Sequence, residues 1–254
     1  MAEGAALQSA RVTHIINDVK LLPEQAAARP AIVNDNVGAD TAVRTGIDSR
    51  TELTFSDLTI TRLGANTIFS FNKGTRQLSL GSGAVLVQVP RNGADAIIST
   101  AAVTAAVSGG TALFEKNKGL PTKLLMLEGI GRFYPTGHPE EAVIVHGGEM
   151  VMMTVDGRIT RPAKFNAALV YKTSKLITSF PTLPNADLIF AVIDQQQAEL
   201  VSGSGPAGQP PQDPTGLDAV TQATAATPTS TSGGSSKFGP PALIVADPYH
   251  ITSG

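Results

Sequence analysis

Short apolar runs with a period of two fill the chain from about residue 10 to residue 161, and this pattern constrains the fold more than any other feature. Clear cases are the runs 59–63 and 84–89, which are rich in Val, Ile, Leu and Thr. Such residues fit a pleated, half-buried surface, and alternate side chains on a strand point to opposite faces. Asn92-Gly93 and Asp156-Gly157 stand between runs, and such pairs favour tight hairpins. The pattern predicts an all-β domain over 10–161.

The pattern changes near Pro162, which fits the first turn of a helix. A helical face is formed by Phe165, Leu169, Lys172 and Leu176. A second helix is indicated after Asn185, which is a good N-cap residue. Its apolar stripe consists of Leu188, Ile189, Val192, Ile193 and Leu200. The sequence therefore predicts two amphipathic helices over 162–201, packed on the β domain or closing one end of it.

Gly, Pro, Ser and Thr make up 26 of the 40 residues from 202 to 241. Such a composition buries too little apolar surface to offset chain entropy, so we predict a disordered linker there. The last segment, 242–254, contains the short β-prone run Leu243, Ile244 and Val245. This run is a candidate docking peptide that could add to a sheet edge.

Composition excludes several classes of protein. The 19 basic and 21 acidic residues leave a formal net charge of −2, which argues against a generally basic nucleic-acid binder. The sequence has no cysteine, so disulfides, thiolate metal sites and Cys nucleophiles are excluded. An apolar run long enough to span a bilayer is absent from the sequence. The first residues lack the basic and apolar regions of a secretory signal, which fits either a cytoplasmic chain or one whose signal was removed.

Candidate catalytic and metal-binding residues are sparse. His14, His138, His146 and His250 share no short spacing, so we predict no metal site and no cofactor. His146 and Glu149 flank the pair Gly147-Gly148. They could form an acid–base pair, but a strand-ending histidine followed by a solvent-facing glutamate is the favoured interpretation.

The remaining charged residues also have two interpretations each. Asp48 with Glu52, or Glu140 with Glu141, could be paired catalytic carboxylates, although Glu140 and Glu141 fit a solvated loop better. A stripe for an anionic partner could be formed by Arg44, Arg50 and Arg62. Acidic residues lie beside these arginines in the sequence, so cross-strand charge pairing is the favoured role.

The run from Asp40 to Phe55, with Arg44-Thr45-Gly46 and Ser49-Arg50 in it, and the run 61–67 resemble the FecR domain family. Further segments that resemble the family are 80–86, 99–112, 127–129 and 147–149. The resemblance covers about residues 11–155. Two turns depart from the family pattern: Asn17-Asp18-Val19, where the family has a glycine before the valine, and Asp57-Leu58, where it has Asp-Gly.

The resemblance implies a β-solenoid-like, coiled stack of strands. Its expected corners are the turn glycines Gly46, Gly64, Gly81, Gly110 and Gly129, because positive φ is cheap only for glycine. The side chains expected to alternate inward are Val43, Leu53, Phe55, Leu63, Phe69, Val85, Val87, Val107, Leu113, Leu125 and Leu127.

Family members in iron-responsive systems carry a signal from an outer-membrane receptor to an inner-membrane anti-sigma factor. The chain lacks their anti-sigma segment and membrane helix, so it resembles a free-standing periplasmic or secreted relative whose signal peptide has been removed.

We therefore expect a non-enzymatic protein that binds another protein in signalling or as a scaffold. An unpaired strand edge or the Leu243–Val245 run would make the contact. Three alternatives stay open: a module that binds carbohydrate or an envelope polymer, a homo-oligomeric subunit of a β-rich assembly, and an enzyme that uses His146 and Glu149.

Overall fold

The computed structural model describes residues 9–72 and 74–202, and this part of the chain is mainly β. The strands are β1 Ser9–Ile16, β2 Val19–Pro23, β3 Arg29–Pro30, β4 Asn36–Gly38, β5 Thr41–Thr45, β6 Arg50–Phe55, β7 Ile60–Leu63, β8 Ile68–Phe71, β9 Gln77–Gln88, β10 Ala96–Ser99, β11 Val103–Lys116, β12 Thr122–Pro135, β13 Val143–His146, β14 Glu149–Met153 and β15 Ala163–Lys164. The helices are α1 Ala167–Thr173, α2 Lys175–Thr178 and α3 Ala186–Ser202, with a 3-10 turn at Pro139–Glu141.

Strand pairing divides the β region into two layers that share three long strands. Layer A runs in the order β4, β1, β6, β7, β9, β11, β12, β14, β15, using the second halves of β9 and β11 and the first half of β12. Layer B runs in the order β3, β2, β5, β8, β9, β10, β11, β12, β13, using the opposite halves of the same three strands. The chain passes repeatedly from one layer to the other.

The main core lies between the two layers. It joins layer A residues such as Val12 and Leu53 to layer B residues such as Leu21 and Val43, all of them almost fully buried. Aromatic rings bridge the layers: the ring centroids of Phe55 and Phe71 are 5.1 Å apart in an edge-to-face arrangement, a geometry that aromatic pairs favour.

The three long strands change the role of the predicted turn glycines. Gly46 and Gly64 directly follow β5 and β7, as expected, but Gly81, Gly110 and Gly129 lie inside β9, β11 and β12. The prediction that these three form corners between strands is therefore wrong. Of the five, only Gly129 has a positive φ, at 85°.

Gly110 and Gly129 instead allow β11 and β12 to approach closely where both strands pass between layers. A Cβ atom on Gly110 would lie 2.5 Å from the Glu128 carbonyl oxygen, and one on Gly129 would lie 2.7 Å from the Gly110 Cα. The β11–β12 register also shifts here, between Ser108 and Thr111, as at a β-bulge.

The expected solenoid-like stack is not confirmed. In the described residues, the β9–β10 pairing is parallel and every other strand pairing is antiparallel. The fold is therefore best described as two antiparallel layers joined by long, bent strands.

The helices cover one half of the outer face of layer A. A second core forms there between the sheet residues Leu86, Leu113 and Leu125 and the helix residues Val170 and Ile189. The predicted inward positions Leu113, Leu125 and Leu127 are buried, but they belong to this second core and not to the one between the layers.

The two predicted helical regions are present with altered boundaries. Pro162 lies outside the first helix, which begins at Ala167 and is capped by Asn166, whose side chain accepts a hydrogen bond from the Leu169 N–H at 2.9 Å. A break at Ser174 separates α1 from α2. No helix in 9–72 or 74–202 is long and apolar enough to cross a membrane. The predicted linker beyond Ser202 and the Leu243, Ile244 and Val245 run lie outside the described residues.

Candidate functional site

The outer face of layer A carries a continuous cross-strand row that changes from polar to apolar. Strand register places these residues side by side in the order His14, Glu52, Arg62, Leu86, Leu113, Leu125 and Met150. Helices cover the apolar end, and the charged residues stand where this cover stops. The boundary between the covered and uncovered halves is therefore a buried ion pair.

The Arg62 guanidinium is almost fully buried and joins the sheet to the helical segment. Its Nε donates to Glu52 Oε2 at 2.8 Å, and its Nη atoms donate to the carbonyl oxygens of Leu176, at 3.1 Å, and Pro181, at 2.6 Å. The guanidinium also lies over the Phe180 ring, 4.9 Å from its centroid. Arg62 therefore holds the α2 segment on layer A. Its cross-strand ion pair with Glu52 was predicted from the sequence, and its contact with the α2 segment was not.

The Glu52 carboxylate extends this network toward the uncovered half of the face. It accepts a hydrogen bond from Thr13 Oγ1 at 2.7 Å and lies 3.2 Å from His14 Nδ1. Burial raises the pKa of Glu52, but the bonds from Thr13 and Arg62 outweigh it, so the pKa lies below its usual range. Glu52 is therefore an ionised partner of Arg62, and its hydrogen bonds are with Thr13, His14 and Arg62 rather than with Asp48.

An open pocket of about 470 Å³, lined by both polar and apolar side chains, occupies the uncovered half of layer A. We call it the layer A pocket. Its polar residues are Ser9, Arg11, Thr13, Asn34, Asn36, Thr54 and Ser56, and its apolar residues are Phe55 and Leu58. Strand register places Arg11 directly between Asn36 on β4 and Thr54 on β6. Thr13 lines the pocket and also bonds Glu52, so one side chain connects the pocket to the ion pair.

A second buried carboxyl lies under the start of α3. Glu128 Oε1 accepts hydrogen bonds from Thr111 Oγ1, at 3.1 Å, and from the Asn185 side-chain amide. Burial raises the pKa of Glu128, and these two bonds offset it only in part. Asn185 directly precedes α3, as predicted, but its amide nitrogen bonds Thr111 and Glu128. Its side chain thus fixes the start of α3 on the sheet.

The outer face of layer B presents apolar side chains to solvent on β12 and β13. Ile130 and Ile144 are 47% and 55% exposed, and the register places them as diagonal neighbours on one face. Arg132 stands opposite Ile144, with its guanidinium 5.8 Å from the Tyr134 ring centroid. We call Ile130, Arg132, Tyr134 and Ile144 the β12–β13 face.

The strand edges are less suited to contact than the sequence analysis expected. The strands that end the two layers are β4, β15, β3 and β13, with three, two, two and four residues. Very short edge strands offer few free backbone groups to an added strand. At β13 the Glu149 carboxylate already accepts the His146 backbone N–H at 2.9 Å.

The hydrogen bond from the His146 backbone N–H to the Glu149 carboxylate also shows how this predicted pair is arranged. The carboxylate caps the turn between β13 and β14, and the imidazole of His146 is exposed. The structure therefore agrees with a strand-ending histidine rather than with an acid–base pair.

His138, Glu140 and Glu141 come together on the 3-10 turn, with His138 Nδ1 3.0 Å from Glu140 Oε1. All three side chains are exposed, and hydrogen bonding within a surface turn accounts for the proximity of His138 and Glu140. The other predicted cations separate: Arg44 lies on β5 in layer B, while Arg50 and Arg62 lie in layer A. They do not form one stripe.

The pocket residues Arg11, Thr13, Asn36 and Thr54 were not predicted from the sequence. A signal was present in β1, where Ser9, Arg11 and Thr13 alternate with the core residues Ala10 and Val12. Alternation marked these side chains as outward-facing, but only the pairing of β1 with both β4 and β6 brings them together.

Part of the β region matches a known protein family. Residues 41–130 match the family model described as FecR protein. Over this stretch the chain is similar to the FecR domain. The matched stretch runs from β5 into β12, so it includes Arg62 and Ile130 but leaves out β1, β4 and the helices.

Two solved structures are similar to the chain, both described as "a putative anti-sigma factor" from Parabacteroides distasonis ATCC 8503. Each is 15% identical. One covers 48% of this chain and 59% of its own, with a TM-score of 0.43; the other covers 52% and 64%, with a TM-score of 0.45. The chain thus spans about three fifths of the solved structures that it matches. No curated protein matches the sequence.

Proposed function

We propose that this protein is a non-catalytic FecR-domain protein that binds another protein in a signalling pathway, in the periplasm or outside the cell. The observation that carries the proposal is the FecR match over residues 41–130. The family is regulatory, and regulation requires a protein partner. The helices of this chain cover half of the outer face of layer A, so we assign the partner surface to the uncovered outer face of layer B.

The β12–β13 face is the surface that supports protein binding best. Ile130 and Ile144 expose apolar area on adjacent strands, and Tyr134 and Arg132 are residue types that protein interfaces favour. The edges of both layers are short, so we assign contact to the face of a sheet and not to strand addition. The expected partner presents an apolar surface with a carboxylate for Arg132.

The experiment places a photo-crosslinking residue at position 144 in the natural host and identifies the captured protein by mass spectrometry. The matched control is position 47, where Ile47 is 78% exposed but lies outside the β12–β13 face. We expect one protein captured from 144 and not from 47, and its loss on Ile130→Asp. Equal capture from both positions would contradict this interface.

Location is tested separately by cell fractionation against marker proteins of the cytoplasm and periplasm. We expect the protein with the periplasmic markers or in the medium. Recovery with the cytoplasmic markers would overturn that part of the proposal.

The layer A pocket supports a second candidate function, the binding of a carbohydrate or envelope polymer. Hydroxyl and amide side chains are the groups that recognise sugar hydroxyls, and they line this pocket. Co-sedimentation with purified envelope polymers tests this function without reference to the β12–β13 face. A regular β-rich assembly is the least supported alternative, because the edge strands are short.

A further inference from the structure

We propose that the layer A pocket binds a saccharide unit that carries a carboxylate, with Arg11 as the group that binds the carboxylate. The inference rests on the second candidate function and assigns it a ligand class. It is independent of the β12–β13 face, which lies on the other layer.

The charges around the pocket single out Arg11. Three carboxylates stand close to the pocket lining, and each already has an arginine partner: Asp35 with Arg29, Asp57 with Arg76, and Glu52 with Arg62. The Arg11 side chain is exposed and makes no hydrogen bond or ion pair with any described residue. These carboxylates therefore do not neutralise the Arg11 guanidinium, and an anionic ligand could form a charge-assisted hydrogen bond with it.

The pocket rims are held in an unusual backbone conformation. Asn34 and Leu58 stand on opposite rims, and their φ values are 76° and 67°. Asparagine tolerates this left-handed region, but leucine is strained there. The FecR pattern has glycine at the Leu58 position, which would remove the strain. Leu58 is also 69% exposed, so burial does not explain why a large apolar side chain is kept there.

Ion pairs fix both rims in place. Asp57 accepts hydrogen bonds from Arg76 Nη1 at 2.5 Å and from the Thr59 N–H at 3.0 Å, next to Leu58. Asp35 accepts two hydrogen bonds from Arg29, at 2.7 and 3.0 Å, next to Asn34. The pocket is therefore formed before a ligand arrives, which lowers the entropy cost of binding.

The remaining lining fits a saccharide better than a peptide. Ser9, Thr13, Asn36 and Thr54 offer neutral donors and acceptors beside the guanidinium, and Leu58 offers an apolar contact for the C–H face of a sugar ring. A peptide would need a longer free strand edge than the three residues of β4. The aromatic ring beside the pocket, Phe55, is buried, so stacking contributes little and we expect weak binding.

The test is an NMR titration of the full chain with digalacturonate, with digalactose as the uncharged counterpart and inorganic phosphate as a bare anion. We expect digalacturonate to bind and digalactose to bind roughly tenfold more weakly, as the loss of a charge-assisted pair predicts. Arg11→Gln should weaken digalacturonate binding by a similar factor. Arg44→Gln, an exposed arginine on layer B, is the matched control and should change nothing.

Leu58→Gly separates a ligand role from a structural one. Glycine relieves the left-handed strain, so the variant should unfold at the same temperature or higher while it binds digalacturonate severalfold more weakly. A variant that binds like the wild type would overturn the role of Leu58.

The outcomes distinguish a wrong ligand class from a wrong carbohydrate-binding function. Equal binding of digalactose and digalacturonate would leave a carbohydrate-binding function and overturn the carboxylate. Binding of phosphate as tight as that of digalacturonate would overturn the saccharide, and absence of binding by either sugar would overturn both.

Discussion

The two halves of the outer face of layer A share one set of strand pairings but have opposite chemistry. Toward β14, Leu86, Leu113 and Leu125 are buried under the helices. Toward β4, Arg11 and Thr54 line an open pocket. Arg62 and Glu52 stand between the halves. The end of the helical cover is therefore set by a buried guanidinium that bonds the carbonyl oxygens of Leu176 in α2 and of Pro181 just after it.

The largest expected effect comes from breaking that boundary. Arg62→Met leaves the Glu52 carboxylate buried without its cation and leaves the Leu176 and Pro181 carbonyls without their donor. We expect a loss of about 3–5 kcal/mol in the free energy of unfolding, measured in urea. The double variant Glu52→Gln/Arg62→Met removes the unpaired charge and should recover part of this loss. Equal instability of both variants would show that the ion pair is not the cause.

A matched pair of truncations compares the halves directly. Leu113→Ala opens a cavity under the helices and should cost about 2–5 kcal/mol. Thr54→Ala removes a side chain from the open pocket and should change stability by less than about 0.5 kcal/mol. Chemical denaturation measures both. Similar losses would mean that the uncovered half is also part of the core.

The covered half also contains a carboxyl that burial disfavours in its charged form. Because the pKa of Glu128 is raised in the folded state, its ionisation at neutral pH destabilises the fold. The protonated Glu128 carboxyl makes its full contribution to stability below the unfolded-state pKa. That contribution is lost as the pH rises through the folded-state pKa. Glu128→Gln should therefore raise the melting temperature at pH 7, and the difference should vanish in acid. A difference independent of pH would point to a changed hydrogen bond instead.

The smallest effect is expected at the pocket rim. The pair of Arg29 with Asp35 is bidentate but exposed, and exposed pairs contribute little to stability. Arg29→Gln should leave the thermal unfolding midpoint unchanged within error, in contrast to Arg62→Met. A large drop would show that the rim is coupled to the core.

Much of the fold was predictable because it depends on local patterns. Alternation identified the strands and their inward residues, and helical spacing identified the region of α1 to α3. Long strands were not predictable: Gly81, Gly110 and Gly129 are typical of turns, and only the tertiary pairing shows that β9, β11 and β12 continue through them. Alternation also cannot say which core a residue joins. Leu113 was expected to face the inside of a strand stack, and it lies in the core under the helices.

The candidate site was less predictable than the fold. Cross-strand pairing of Arg62 was predicted from nearby acidic residues, but its carbonyl partners Leu176 and Pro181 are distant in sequence. The pocket depends on β1 lying between β4 and β6, an arrangement that no local pattern specifies. The unusual Asp57-Leu58 turn was visible as a departure from the FecR pattern, and its place at the pocket rim gives that departure a meaning.

The contacts of Arg62 have a consequence for how the protein is made. The carbonyl groups that the guanidinium bonds are 114 and 119 residues further along the chain. During synthesis, β6 and β7 leave the ribosome long before these acceptors exist. The nascent β region must therefore keep Arg62 hydrated until the segment that contains Leu176 and Pro181 emerges and covers this face.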